Sequence, residues 1–277
     1  MSINSKSVNW SRIIDEYIEA LIRSRFNFVI KRVFELKTST NYTRESWDVW
    51  RLGDPTDELE FHESIRSYGI LVPGCNTLRR NLVVARRGIL KHSNSSARIA
   101  VLVDCSGSML DYKKWIYARD AVLMLLGFAM RYRYEACLSI FTNYNVWSHE
   151  WTSDHYGLAR SFVLEYNPNR MLPHFYTSPV KSLEWLLRIA KKDMTIYIIS
   201  DMELEELHKP KALESVFQAL APYNPKLVLF LISRGKYIVS KIVEIAVNAG
   251  LKDVKGYWVN PLETKKLVSE VIKEINV

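Results

Sequence analysis

Beyond residue 97 the chain alternates between two hydrophobic patterns. The apolar runs Arg98–Asp104, Glu135–Thr142, Thr195–Asp201, Leu227–Ser233 and Lys255–Val259 are short and rich in β-branched residues. Runs of that length and composition read as strands buried on both faces. Between them, residues 112–133, 154–164, 179–191, 210–220, 238–249 and 262–275 carry apolar positions at helical spacing, as in Leu183, Leu186, Leu187 and Ala190. The alternation predicts an α/β fold, a doubly wound, mostly parallel sheet flanked by helices.

The first 97 residues follow a different pattern. Residues 10–36 place Ile13, Ile14, Tyr17, Ile18, Leu21, Ile22, Phe26, Val29, Ile30, Val33 and Phe34 at helical spacing, which predicts one long amphipathic helix packed on its own chain. Residues 37–57 are polar around Trp47 and Trp50 and read as irregular. Leu82-Val83-Val84 and Ile89-Leu90 flank Ala85-Arg86-Arg87-Gly88, a hairpin pattern with Gly at the turn. The Ser- and Asn-rich residues 92–96 read as a linker. Two regions follow, an N-terminal helix-and-hairpin extension over 1–97 and an α/β domain over 98–277.

Charge sharpens this division. The net charge is +8, yet no acidic residue lies between Glu63 and Asp104, where Arg66, Arg79, Arg80, Arg86, Arg87, Lys91 and Arg98 fall. A basic segment of this kind suits an acidic partner or nucleic acid. No nucleic-acid motif and no regular interleaving of aromatic residues accompanies the arginines. Arg79, Arg80, Arg86 and Arg87 are therefore candidates for binding a protein, with RNA as the alternative. The longest apolar stretch, 121–130, is too short to span a bilayer. The N-terminus lacks the apolar core of a signal peptide. The expectation is a cytoplasmic protein without a membrane partner. The three cysteines, Cys75, Cys105 and Cys137, and the six histidines show no disulfide or zinc spacing.

The candidate chemistry lies on the turn leaving the first strand of the α/β region. Asp104-Cys105-Ser106-Gly107-Ser108 offers one carboxylate and two hydroxyls at alternate positions. These are oxygen donors suited to a hard cation, and Mg²⁺ favours such a set. The carboxyl end of a strand is also where ligands bind in open α/β sheets. Cys105 would need a base to act as a nucleophile, and no His is near it in sequence.

Asp104, Ser106 and Ser108, with Met109 beside them, resemble the metal-ion-dependent adhesion site of von Willebrand factor A domains. That site is built from three loops, and two later segments match the pattern. Thr177, followed by Ser178-Pro179 and Ser182-Leu183, corresponds to the second loop; Asp201, after Thr195–Ser200, corresponds to the third. The chain departs from the family in having His174-Phe175-Tyr176 where Gly-Gly usually precedes the Thr, and Met202-Glu203 where Gly often follows the Asp.

The resemblance implies a Rossmann-like sheet with one antiparallel edge strand, for which Asn145–Ser148 is the candidate. It also implies Mg²⁺, or Mn²⁺ or Ca²⁺, held by Asp104, Ser106, Ser108, Thr177 and Asp201. Asp104 would anchor the ion by charge, the hydroxyls would ligate it, and Asp201 would accept from ion-bound water. A partner protein's Asp or Glu would fill the open position. Single-chain members with N-terminal helical extensions resemble the CoxE-like proteins that work beside MoxR-type AAA+ ATPases as adaptors. The chain has no phosphate-binding glycine loop of its own.

A non-enzymatic adaptor is thus the expected role. A metal-dependent phosphohydrolase using Asp104 is the enzymatic alternative. Ser106 stands where the common phosphatase pattern has Asp, which counts against it.

Overall fold

The computed structural model describes residues 10–39, 46–49, 78–81, 98–168, 177–201, 210–233 and 235–275. In chain order these form α1 (Trp10–Ser39), β1 (Ser46–Val49), β2 (Leu78–Asn81), β3 (Arg98–Asp104), α2 (Lys114–Tyr132), β4 (Glu135–Phe141), β5 (Asn145–Thr152), α3 (His155–Glu165), α4 (Val180–Arg188), β6 (Met194–Ser200), α5 (Pro210–Leu220), β7 (Lys226–Ile232), α6 (Lys236–Asn248), β8 (Asp253–Val259) and α7 (Lys265–Ile275). Contacts divide the chain into two compact units, residues 1–31 with 94–277, and residues 32–93.

The larger unit holds a sheet of order β5-β4-β3-β6-β7-β8. All neighbours are parallel except β4 and β5. This is the α/β, mostly parallel, helix-flanked sheet that the alternating pattern predicts. β3, β4, β6 and β7 are buried almost end to end. Helices on both faces leave no solvated side, which is why these strands read as unbroken apolar runs. Ala100, Leu102, Ile196, Ile198, Leu227 and Leu229 pack with Leu183, Leu186, Phe217 and Ile242, joining one face of the sheet to α4, α5 and α6.

The edge strand β5 runs eight residues, longer than the four predicted. Shifts in its register against β4 allow it to pair along most of that strand. The Trp151 indole donates to the Ile189 carbonyl at 2.7 Å, just past the end of α4, which stops three residues before the predicted boundary.

The N-terminal helix buries a narrower stripe than its sequence offers. Ile18, Ile22 and Phe26 are buried, whereas Ile13, Ile14 and Tyr17 are exposed. Phe26 lies against Gly127 of α2, where an added Cβ would come within 3.2 Å of its backbone and ring. The glycine thus permits a close approach of the two helices. Arg25 donates to Asp120 at 2.6 Å beside this contact.

In the smaller unit, Ser46–Val49 pairs antiparallel with Leu78–Asn81. The tryptophan-containing stretch read as irregular therefore contains a strand, completed by a partner about thirty residues away in sequence. The register sets Arg79 opposite Asp48 and Arg80 opposite Trp47. Arg86, Arg87, the hairpin predicted around them, the linker at 92–96 and Glu203 lie outside the described residues.

Candidate metal and partner-binding site

The sheet order places the site. From β3 the chain proceeds to β4 on one side and later returns to β6 on the other. The direction of winding reverses at the carboxyl ends of β3 and β6, the place where ligands bind in open α/β sheets. Val103 pairs with Ile199, so Asp104 and Ser200 emerge side by side. Ser200 donates to Asp104 Oδ2 at 2.5 Å, and the Ser106 backbone N–H donates to Oδ1 at 2.8 Å. The Asp104 carbonyl accepts from the buried Tyr166 hydroxyl at 2.8 Å. The carboxylate is fully buried and fixed through both oxygens. Burial, followed by the nearby Asp201 charge, pushes its pKa up to about 7.

The two serines complete a directed chain. Ser108 Oγ donates to Asp201 Oδ1 at 3.0 Å and lies 2.9 Å from Ser106 Oγ. A hydroxyl has one proton. Ser108 has given its proton to Asp201, so Ser106 must donate to Ser108. The protons run toward Asp201, and both hydroxyl oxygens keep lone pairs for a cation.

The structure therefore joins Ser106, Ser108 and Asp201 directly, and Asp104 through Ser106 and Ser200. Thr177 is buried and takes no part in these hydrogen bonds. Its neighbour Ser178 donates its backbone N–H to the Thr142 carbonyl at 3.0 Å. That bond ties the second loop to the end of β4, next to the strand that carries Asp104.

Ser200, Tyr166 and Lys114 belong to the site but were absent from its sequence description. Lys114 is 2% exposed, and its Nζ lies 2.6 Å from Asp201 Oδ2 and 3.2 Å from the Ser108 carbonyl. The only signals were a serine adjoining the proposed Asp201 and a lysine pair heading an apolar helix. Neither indicates burial. The expected continuous helix from Tyr112 is also interrupted. Residues Gly107–Lys113 form a 3₁₀ turn, Tyr112 and Lys113 adopt left-handed φ of 53° and 59°, and the α-helix starts at Lys114.

Cys105 is buried between the ligand positions. Burial, followed by the Asp104 charge, pushes its thiol up to about 12, which keeps it protonated and poorly nucleophilic.

The donor set matches a hard cation, since two carboxylates and the hydroxyls supply only oxygen. Among the described residues no group of three or more His, Cys, Asp or Glu side chains is placed to hold a metal ion, so a cation here would depend on the hydroxyls as well as the two carboxylates. No described helix is long and apolar enough to cross a membrane.

No protein-family model and no curated protein matches the sequence. Solved structures share its fold at low identity. A point mutant of the PilB minor pilin from Streptococcus sanguinis aligns with a TM-score of 0.50 and 11% identity, over 73% of this chain and 70% of the pilin. A von Willebrand factor type A structure from Catenulispora acidiphila aligns at 0.49 and 17%, over 66% of this chain and 42% of that one. BatB from Bacteroides thetaiotaomicron aligns at 0.46 and 13%, over 65% and 98%. Likeness at these identities concerns the fold alone.

Proposed function

We propose that the chain is a von Willebrand factor A-type interaction protein whose site binds a divalent cation, Mg²⁺ or Mn²⁺, and through it a carboxylate of a partner protein. The observation carrying this reading is the Ser106–Ser108–Asp201 chain beside the buried Asp104. Asp104 supplies charge, Ser106 and Ser108 supply lone pairs, Asp201 orients the serine protons, and Thr177 supplies a hydroxyl from the second loop. Bound there, the ion would furnish a Lewis-acidic position for an anionic oxygen. Ser200 and Tyr166 hold the Asp104 segment in place. A MoxR-type ATPase is the partner class suggested by the sequence resemblance.

Phosphoryl transfer through Asp104 is disfavoured. A nucleophilic carboxylate needs an accessible oxygen, whereas both of its oxygens are engaged and buried.

Calorimetric titration with Mn²⁺ tests the proposal. Binding by the wild type that disappears in Asp104→Ala supports it, as does metal-dependent capture of a defined partner that EDTA reverses. Absence of Mn²⁺ binding by the folded wild type refutes the metal reading. Turnover of a generic phosphate ester, lost in Asp104→Ala, would favour the enzyme instead.

A further inference from the structure

Lys114 occupies an unusual position for a lysine. It is the first residue of α2, where the helix dipole disfavours a cation. It is also 2% exposed, whereas a lysine at a helix start normally reaches water. Two consecutive non-glycine residues before it, Tyr112 and Lys113, adopt left-handed backbone. That conformation costs on the order of 1 kcal/mol per residue. The turn they make precedes a side chain directed back beneath the 3₁₀ segment, where its ammonium meets Asp201 Oδ2 and the Ser108 carbonyl. Helix dipole, burial and backbone conformation all oppose this placement, and the compensation is at the site.

The charge count shows what the ammonium does there. Asp104 and Asp201 carry two negative charges when ionised, and Lys114 neutralises one. With both carboxylates ionised, the site retains a net charge of about −1. A divalent ion would bring it to about +1, and a partner's carboxylate would return it to neutrality. Without Lys114, the ion alone would neutralise the two carboxylates, and the partner's carboxylate would add an uncompensated charge.

Resting on the metal-binding reading above, we propose that Lys114 is a tethered cation that weakens binding of the metal alone and couples it to arrival of a carboxylate. The coupling is reciprocal, so the carboxylate partner in turn binds tightly only with metal present. The site would thereby discriminate against metal without partner.

Mn²⁺ titrations of wild type, Lys114→Met and Lys114→Gln, with and without acetate as the carboxylate probe, test this. Gln retains hydrogen-bonding capacity should Met not fold. The neutral variants are expected to bind Mn²⁺ alone at least ~10-fold more tightly than wild type, with acetate tightening the wild type more than the variants. In EDTA they should melt below wild type, and Mn²⁺ should raise their melting temperature by more. Equal or weaker Mn²⁺ binding by folded variants, with Asp104→Ala still abolishing it, overturns the role of Lys114 and leaves the metal site standing. Tighter binding without the acetate difference overturns the coupling. No Mn²⁺ binding by wild type or either variant overturns both.

Discussion

Two buried charge clusters, at opposite ends of the sheet, use similar side chains with opposite balance. Toward the amino ends of β7 and β8, Glu274 of α7 is 4% exposed and faces two lysines. Lys226 Nζ lies 2.5 Å from Oε1 as an ion pair, off the hydrogen-bond direction, and Lys255 approaches Oε2 at 3.4 Å. Tyr257 also donates to Oε2. One carboxylate thus has two partly exposed cations and a phenol. At the carboxyl ends of β3 and β6 lie two buried carboxylates, Asp104 and Asp201, and the ammonium of Lys114 pairs with Asp201. The first cluster is over-compensated from its solvent side and needs nothing more. The second lacks a positive charge and presents hydroxyl lone pairs beside the deficit. On the metal-binding reading proposed above, charge balance, more than burial or the presence of an ion pair, is what sets the two clusters apart.

The largest effect should come from removing the deficit. Asp104→Ala is expected to weaken Mn²⁺ binding by ~100-fold or more, while Glu274→Ala leaves it unchanged. Parallel calorimetric titrations check this contrast, and equal losses would erase it. The reverse contrast should hold in stability. Glu274→Ala should cost about 2 kcal/mol in urea unfolding, less than a fully buried pair because both lysines reach water. Ser200→Ala, which frees one oxygen of Asp104, should weaken Mn²⁺ binding by about 10-fold.

The smallest effect concerns acid. Burial pushes the Glu274 carboxyl up, but Lys226, Tyr257 and Lys255 together hold it below the ordinary glutamate value of 4.5. A carboxyl depressed in the folded state contributes stability above that ordinary value and loses it as pH falls through the folded value. Unfolding measured below pH 4.5 should therefore show a shallower acid loss in Glu274→Gln than in wild type. An unchanged slope would assign the acid limb to other carboxyls.

Much of the α/β unit was legible because the signal is local. Both-face burial writes β3, β4, β6 and β7 as apolar runs, and α4 as a stripe through Leu183 and Leu186. The interrupted start of α2 was not legible. Nothing local in Tyr112-Lys113 marks their left-handed kink, whose Tyr112 carbonyl accepts from Thr264, 152 residues later in the chain. The same holds for α1, whose broad stripe does not tell that Ile18, Ile22 and Phe26 are buried while Ile13, Ile14 and Tyr17 are exposed. The strand at Ser46–Val49 depended on a partner at Leu78–Asn81 that local pattern does not connect to it.

The sequence by itself determined the element order of the α/β unit, its mostly parallel sheet, and the oxygen-rich turn at Asp104, Ser106 and Ser108. Those follow from period, residue type and position after a strand. Only the tertiary structure decided that Ser200 and Tyr166 fix Asp104, that Asp201 accepts the Ser108 hydrogen bond, and that Lys114 rather than Lys113 is drawn inside. Such choices depend on which distant groups are buried together. There, each charge must find a partner among neighbours that the chain alone does not put side by side.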